Sequence, residues 1–302
     1  MLDLVSIGNI SIDLYFRGDD LTYDRKRFQL AVGGKYFVDY LYEGIGGGGA
    51  NVAVGATQNG LRCAVLGIVG NNPFKKIILE ELEEAGVSTH LAQFHDDYLN
   101  ISAILLTRRG ERTIINYEPP REQIFTSNND LRHLLIAKAV YLGNLPDVSL
   151  MMREELLTFA RKNNVMTFLN LGIKDCRRTP DQIKRLIAPA EVLFMNTYEF
   201  AEMIKKPHDD IDFKKSVFPY HPEIQKKIVI LTDGKHGSYG YVGDHVCYEP
   251  AVPVKRIVDT TGAGDGYTAG FIAEYLKSKD VRRSMGKGAK YAAKILGKIG
   301  AN

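Results

Sequence analysis

The sequence predicts a doubly wound three-layer α/β/α fold whose mostly parallel central sheet carries a small β-sheet lid. Short apolar runs, Leu2–Ile7, Cys63–Val69, Ala139–Leu142, Val165–Leu169, Val192–Met195 and Ile228–Leu231, alternate with helix-like segments. Such runs suit strands covered on both faces, as in a parallel sheet between helices. Two stretches, 12–42 and 99–118, break the alternation, being rich in aromatic and β-branched residues without a helical period. They are expected to leave the main layer as strands of a separate small sheet, within a single domain of 302 residues.

Taken in order, the first strand, Leu2–Ile7, runs into Gly8-Asn9. The first lid segment follows, with Gly33-Gly34 as a turn signal, and then Gly46-Gly-Gly-Gly-Ala-Asn51. Consecutive glycines are costly in conformational entropy, so something is expected to approach this backbone closely. Asn51 is expected to begin a helix with its amide near the strand ends. Pro73–Gly86, Ser149–Asn163, Thr197–Lys205 and Gly262–Lys277 read as helices, and Arg109-Gly110 as a turn in the second lid segment. Val252–Val258 is apolar enough to read as a strand. After it, Asp259-Thr-Thr-Gly-Ala-Gly-Asp265 makes a strand-to-helix turn free of bulky side chains, and Phe271, Ile272, Tyr275 and Leu276 continue on one helical face. Each apolar run ends in something small or polar: Gly8-Asn9, Gly70-Asn71, Gly143-Asn144, Asn170, Asn196 and Thr232-Asp-Gly234. Ligands of open α/β sheets bind outside the carboxyl ends of the strands, so these termini outline one rim. A lid over that rim would exclude water.

Apolar residues make up 45% of the chain and charged residues 25%, the balance of an ordinary globular protein. A formal net charge of +3 is too mild to argue for nucleic acid, whereas small anionic ligands need no more. Without a basic leader or a long apolar run, no signal peptide and no membrane partner are expected. Cys63, Cys176 and Cys247 lie far apart with no C-x-x-C, which speaks against a zinc site or a disulfide framework and fits a reducing, cytoplasmic setting. The histidines show no metal-ligand spacing, and His208-Asp-Asp-Ile-Asp212 reads as a solvated loop. A Walker A pattern is missing.

The turn at Gly262–Asp265 carries the strongest chemical signal. Backbone N–H groups at a helix start are free and the macrodipole favours negative charge, so an anion is expected there with Asp265 beside it. The same helix start is expected to lower the Asp265 pKa.

Together and in this order, Gly46–Asn51 and Asp259–Asp265 closely resemble the two signatures of the ribokinase-like (PfkB) carbohydrate kinases. The resemblance extends along most of the chain. Gly8-Asn-Ile-Ser-Ile-Asp13 is similar to the family's first strand, Asn196-Thr-Tyr-Glu199 to its N-x-x-E element, and Thr232-Asp-Gly-Lys-His-Gly237 to its T-x-G-x-x-G loop. Gly300-Ala301 also fits. The resemblance implies a kinase that moves the γ-phosphoryl group of ATP to a primary hydroxyl of a sugar or sugar acid. Asp265 would act as general base, with Gly262, Ala263 and Gly264 forming an anion hole. Asp13, Gly47 and Asn51, with Gly34, would bind the acceptor. Thr232, Gly234, Gly237 and Asn196 would bind the nucleotide, and Glu199, with Asn196, would organise Mg2+ through water. A monovalent cation such as K+ stays open.

The chain departs from the family at Asn170-Leu-Gly172, where an acidic residue is common. It departs again at Gly286–Tyr291, where a stretch richer in alanine and asparagine lines the base pocket, so no base contact is carried over. Lid residues Tyr15, Phe16, Phe37, Tyr40 and Tyr117 read mainly as packing, and Arg17, Arg25, Arg27, Arg109 and Arg112 mainly as solvent-facing. The alternatives left open are a nucleoside kinase of the same fold and a catalytically silent ligand-binding relative. Monomer and homodimer through the lid edges are both compatible with the sequence.

Overall fold

The computed structural model describes residues 1–25, 27–108, 111–119, 130–145 and 147–302. The expected Arg109-Gly110 turn lies outside them. From β1 (Leu2–Ile7) the chain leaves the main layer through β2 (Ser11–Arg17), the short pair β3 (Tyr23–Asp24) and β4 (Arg27–Phe28), and β5 (Tyr40–Gly46). It returns through α1 (Gly48–Gln58) to β6 (Cys63–Leu66) and β7 (Ile68–Gly70). Then come α2 (Lys75–Glu84), β8 (Gln93–His95) and a second excursion, β9 (Ile101–Leu106) and β10 (Arg112–Tyr117). The later strands are β11 (Ala137–Leu142), β12 (Met166–Asn170), β13 (Val192–Asn196), β14 (Ile228–Thr232), β15 (Ser238–Val242) and β16 (His245–Glu249). Helices α3 (Leu150–Lys162), α4 (Ile173–Cys176), α5 (Pro180–Ile187) and α6 (Thr197–Met203) lie among them, and α7 (Ala263–Ser278) and α8 (Val281–Leu296) follow.

Eight strands form the main sheet, in the order β16-β15-β14-β13-β12-β11-β1-β6. The six from β14 to β6 are parallel, while β15 and β16 run antiparallel at one edge. Alternation along β1 explains the three layers. Val5 and Ile7 enter a core with Leu156, Ile183 and Phe200, whereas Leu4 enters the opposite core with Ala53, Phe271 and Tyr291. Helices α3, α5 and α6 therefore cover one face, and α1, α7 and α8 the other. The lid is a separate four-stranded sheet, β10-β9-β2-β5. Every second residue of β9 is buried, as expected for a strand covered on one face only.

Three boundaries differ from expectation. The run Cys63–Val69 splits at Gly67 into β6 and β7, and β7 pairs with β8 outside the main sheet. Residues 18–39 contribute only the β3–β4 pair to sheet structure. Val252–Val258 is not a strand: Pro253 lacks an N–H, and the Val258 N–H bonds the Leu296 carbonyl instead of a neighbouring strand.

One buried ion pair ties the helical layer to a strand end. Arg153 of α3 donates to both oxygens of Asp175 in α4, at 2.8 and 2.7 Å, and Arg178 adds a third bond at 2.8 Å. Neither Arg153 nor Asp175 reaches solvent, so removing the carboxylate strands a buried guanidinium. Asp175→Ala is expected to lower stability by about 3–5 kcal/mol. Urea unfolding checks this, and a loss below ~1 kcal/mol would show that the pair adds little.

Candidate active site

Gly262 closes the loop before α7 in the left-handed region, with φ 71°. A side chain there would collide with Ala301, so the turn itself requires this glycine. The first intrahelical bond runs from the Gly266 N–H to the Gly262 carbonyl, at 2.8 Å. The N–H groups of Ala263, Gly264 and Asp265 therefore precede the helical ladder. Gly264 differs from Gly262: it is exposed, and a Cβ on it would meet nothing within 4 Å.

Behind the loop sits Asp259, with 0% exposure. Its carboxylate accepts from the Thr261 N–H at 2.9 Å, the Thr261 hydroxyl at 2.8 Å and the Gly300 N–H at 3.2 Å. Arg112 of β10 reaches across from the lid, donating to the Thr261 hydroxyl and lying 3.9 Å from Asp259 Oδ1. Arg112 is thus a partly buried bridge, not one of the solvent-facing lid arginines that the sequence suggested.

The glycine-rich segment is a fixed helix start. Gly47, with φ 88°, is the N-cap of α1, and the Asn9 carbonyl accepts from the Gly49 and Ala50 N–H groups at 3.0 and 3.3 Å. Asn51 lies in the first turn and does not begin the helix. Gly48 faces Asp265, where a Cβ would come within 3.5 Å of Oδ1. Asn51 is buried and its Nδ2 donates to Asp265 Oδ2 at 2.8 Å. Asn302 Nδ2 donates to Asn51 Oδ1 at 3.1 Å and to the Ile45 carbonyl at 2.9 Å.

Asp13, on β2, is buried and accepts from the Ser11 hydroxyl at 3.1 Å. Burial pushes its carboxyl above the usual carboxylate range, against the hydrogen bonds of Ser102 and Ser11. Asp265 is raised as well. Burial is the main cause, Asn51 opposes it, and the charge of Asp13 adds to it. Desolvation thus reverses the lowering expected from the helix start, because the carboxylate stands among packed elements and not at an exposed helix tip.

The nucleotide-side candidates gather at neighbouring strand ends. Asn196 and Thr232 are register partners on β13 and β14. Asn196 caps α6 in a reciprocal box: its Oδ1 accepts from the Glu199 N–H at 2.8 Å, and Glu199 Oε2 accepts from the Asn196 N–H at 2.7 Å. Burial raises the Glu199 carboxyl. Gly234 and Gly237 have φ of 51° and 96°, and Thr197 donates to Asp233 at 3.0 Å, holding this loop beside the α6 start. Between the two halves stands the buried Tyr141. Its phenol is driven up first by burial and further by the charges of Asp265 and Glu199, with Asn170 bonded to it. Asn170, where the family often has an acid, thus serves Tyr141.

The structure brings together Asp13, Gly47, Asn51 and Asp265 with the Gly262–Gly264 loop, and separately Asn196, Glu199, Thr232, Gly234 and Gly237. Gly34 joins neither group: it is an exposed turn residue whose N–H bonds the Ala31 carbonyl. Arg112, Tyr141 and Asn302 had no assigned role in the sequence; Arg112 and Asn302 meet their partners Thr261 and Asn51 149 and 251 positions away along the chain.

The groups present suit a nucleotide triphosphate. Open N–H groups at a helix start and the unobstructed Gly264 would accept a phosphate. Among the described residues no three His, Cys, Asp or Glu side chains could enclose a metal. Glu199 and Asn196 therefore fit magnesium only through water and phosphate oxygens, its common mode. No helix among the described residues is long and apolar enough to cross a membrane.

Comparison with known proteins agrees along the whole length. The chain is 25% identical over 312 residues to 5-dehydro-2-deoxygluconokinase of Geobacillus thermodenitrificans, covering 98% of this chain and 87% of that protein. It is 24% identical over 297 residues to a nucleoside kinase of Methanocaldococcus jannaschii, covering 94% and 86%. The solved structure of Arabidopsis thaliana ribokinase complexed with ribose and ATP has the same fold, with a TM-score of 0.79 at 21% identity, covering 99% of this chain and 94% of that one. A family model described as pfkB family carbohydrate kinase matches residues 1–302. The chain therefore belongs to the pfkB family of carbohydrate kinases.

Proposed function

We propose that this protein transfers the γ-phosphoryl group of ATP to a primary hydroxyl of a sugar or sugar acid, with Asp265 as general base. The observation that carries this reading is the Asn51–Asp265 hydrogen bond of 2.8 Å, which sets a carboxylate beside the open N–H groups of the α7 start. ATP as donor is supported by family membership and by the ATP-bound ribokinase of the same fold. Phosphoryl transfer demands positioning and charge stabilisation more than covalent chemistry.

The chain's own residues supply both. The N–H groups of Ala263, Gly264 and Asp265 face the transferring group, and Gly264 lets it approach the backbone. As the acceptor oxygen bonds to phosphorus and the bond to the ADP oxygen breaks, the hydroxyl proton passes to Asp265 Oδ1, the oxygen not held by Asn51. Asp13 and Asn51 hold acceptor hydroxyls, and the lid sheet above excludes water. Thr232, Gly234 and Gly237 bind the remaining phosphates. Asn196 and Glu199 would hold magnesium through water, where it would neutralise phosphate charge. A nucleoside acceptor is the second reading, favoured by the likeness to the archaeal nucleoside kinase.

The test is ADP release from Mg-ATP across a panel of pentoses, hexoses, keto-sugar acids, phosphosugars and nucleosides. Acceptor-dependent release is expected with a sugar or sugar acid. A nucleoside as the best acceptor would select the second reading, and no release with any acceptor would point to a silent binding protein. Asp265→Asn should bind both substrates while kcat falls by ~10²–10⁴. A base acts only when deprotonated, and the Asp265 pKa lies above its ordinary value of 3.8. Activity should therefore be full above that raised pKa and be lost as pH falls through it, with this acid limb missing from the residual rate of Asp265→Asn.

The loop glycines give a second check. A Cβ at Gly264 would meet nothing within 4 Å, so the melting temperature of Gly264→Val should stay within a few degrees of the parent. Its kcat should fall by ~10² or more, the range for losing a backbone donor to a charged transition state. Global unfolding of Gly264→Val would instead assign the glycine to the turn.

A further inference from the structure

An asparagine amide has a donating and an accepting end of nearly equal shape, so its neighbours decide which way it faces. Asn51 is only 5% exposed, and protein groups set its orientation. On one side the Asp265 carboxylate requires a donor. On the other, Asn302 presents an NH2 group that requires an acceptor. Asn302 is oriented in turn by the Ile45 carbonyl, which can only accept, at 2.9 Å from the same Nδ2. Turning Asn302 over would set its oxygen against both the Ile45 carbonyl and Asn51 Oδ1. The polarity of the chain Ile45–Asn302–Asn51–Asp265 is therefore dictated from a backbone carbonyl. The segment that carries Asn302 is anchored to the anion loop, through the Gly300 N–H on Asp259 and Ala301 buried beneath Gly262.

We infer that Asn302 is a positioning residue for proton transfer: by fixing the Asn51 amide it keeps Asn51 donating to Asp265 Oδ2 and leaves Oδ1 for the acceptor hydroxyl. The inference rests on Asp265 being the base. Without Asn302 only the Asp265 carboxylate orients the Asn51 amide, and Asn51 Oδ1 loses its donor, so the NH2 group is held on Oδ2 less firmly. The ionised form of Asp265 is then less well supported, while its other charged or titratable neighbours, Asp13 from β2 and Tyr141 from β11, stay in place.

Asn302→Leu removes the donor at nearly constant shape and without new charge. The acid limb of kcat should move up by about one pH unit, so that kcat at a pH on that limb falls ~10-fold, the scale of one hydrogen bond to a charged group. The KM for ATP should change less than about two-fold. Because Asn302 acts through Asn51, Asn51→Ala combined with Asn302→Leu should be no slower than Asn51→Ala alone. If the leucine variant does not fold, Asn302→Ala deletes the same donor without bulk and carries the same expectation. An unmoved acid limb in a variant of parental melting temperature, or additive effects in the double variant, would overturn the inference. Asp265→Asn, assayed alongside, separates the two failures. If it is inactive while Asn302→Leu behaves as the parent, the inference alone fails; if it stays active, the base assignment fails and the inference with it.

Discussion

A carboxylate removed from water has to be satisfied by fixed donors, and Asp259 imposes that constraint on the whole site. With no exposure to solvent, it collects the N–H and hydroxyl of Thr261, the N–H of Gly300 and the nearby guanidinium of Arg112. These partners come from the loop itself, from the segment after α8 and from the lid. One buried charge therefore holds three separate pieces of chain in register. The loop before α7 is thereby tied to the segment after α8 and to the lid.

Asp13 stands near Asp259 and Arg112, and Asp265 stands near Asp13. Burial pushes the carboxyls of Asp13 and Asp265 up, and the neighbouring charge of Asp259 adds to the rise at Asp13 as that of Asp13 does at Asp265. For catalysis this has a use. A carboxylate with a raised pKa is a better proton acceptor than an ordinary one, provided that it is still ionised at the working pH. Asn51 tempers the shift with one hydrogen bond, keeping Asp265 from being driven further up.

Much of the fold was legible because it depends on local chemistry. Leu2–Ile7 reads as a strand covered on both faces, and it is one, with the same ends. Ser149 and Asn196 sit at helix starts where their side chains accept from N–H groups three residues on. Val252–Val258 misled because apolarity does not supply a strand partner. The two clusters of small residues that the sequence marked, Gly46–Asn51 and Gly262–Asp265, meet in the structure through the Asn51–Asp265 hydrogen bond. Gly34 stands apart from these clusters, because a glycine pair marks a turn without saying which surface the turn faces. Arg112, Tyr141 and Asn302 were hidden for another reason. Each acts through a residue over a hundred positions away, or across neighbouring strand ends, and no local pattern records such a partner.

The two loop glycines show why composition alone understates such a site. At Gly262 the requirement is internal: a positive φ and the contact with Ala301 exclude a side chain. At Gly264 φ is not positive and a Cβ would meet nothing within 4 Å, so nothing among the described residues requires glycine there. Folding is indifferent to a methyl group at that position. A group arriving from outside is not, because it has to reach the N–H groups of the α7 start, where the helix dipole favours its negative charge. On the proposed kinase reading, the open space at Gly264, at the head of a helix and beside a carboxylate bonded to Asn51, is where a phosphoryl group would fit.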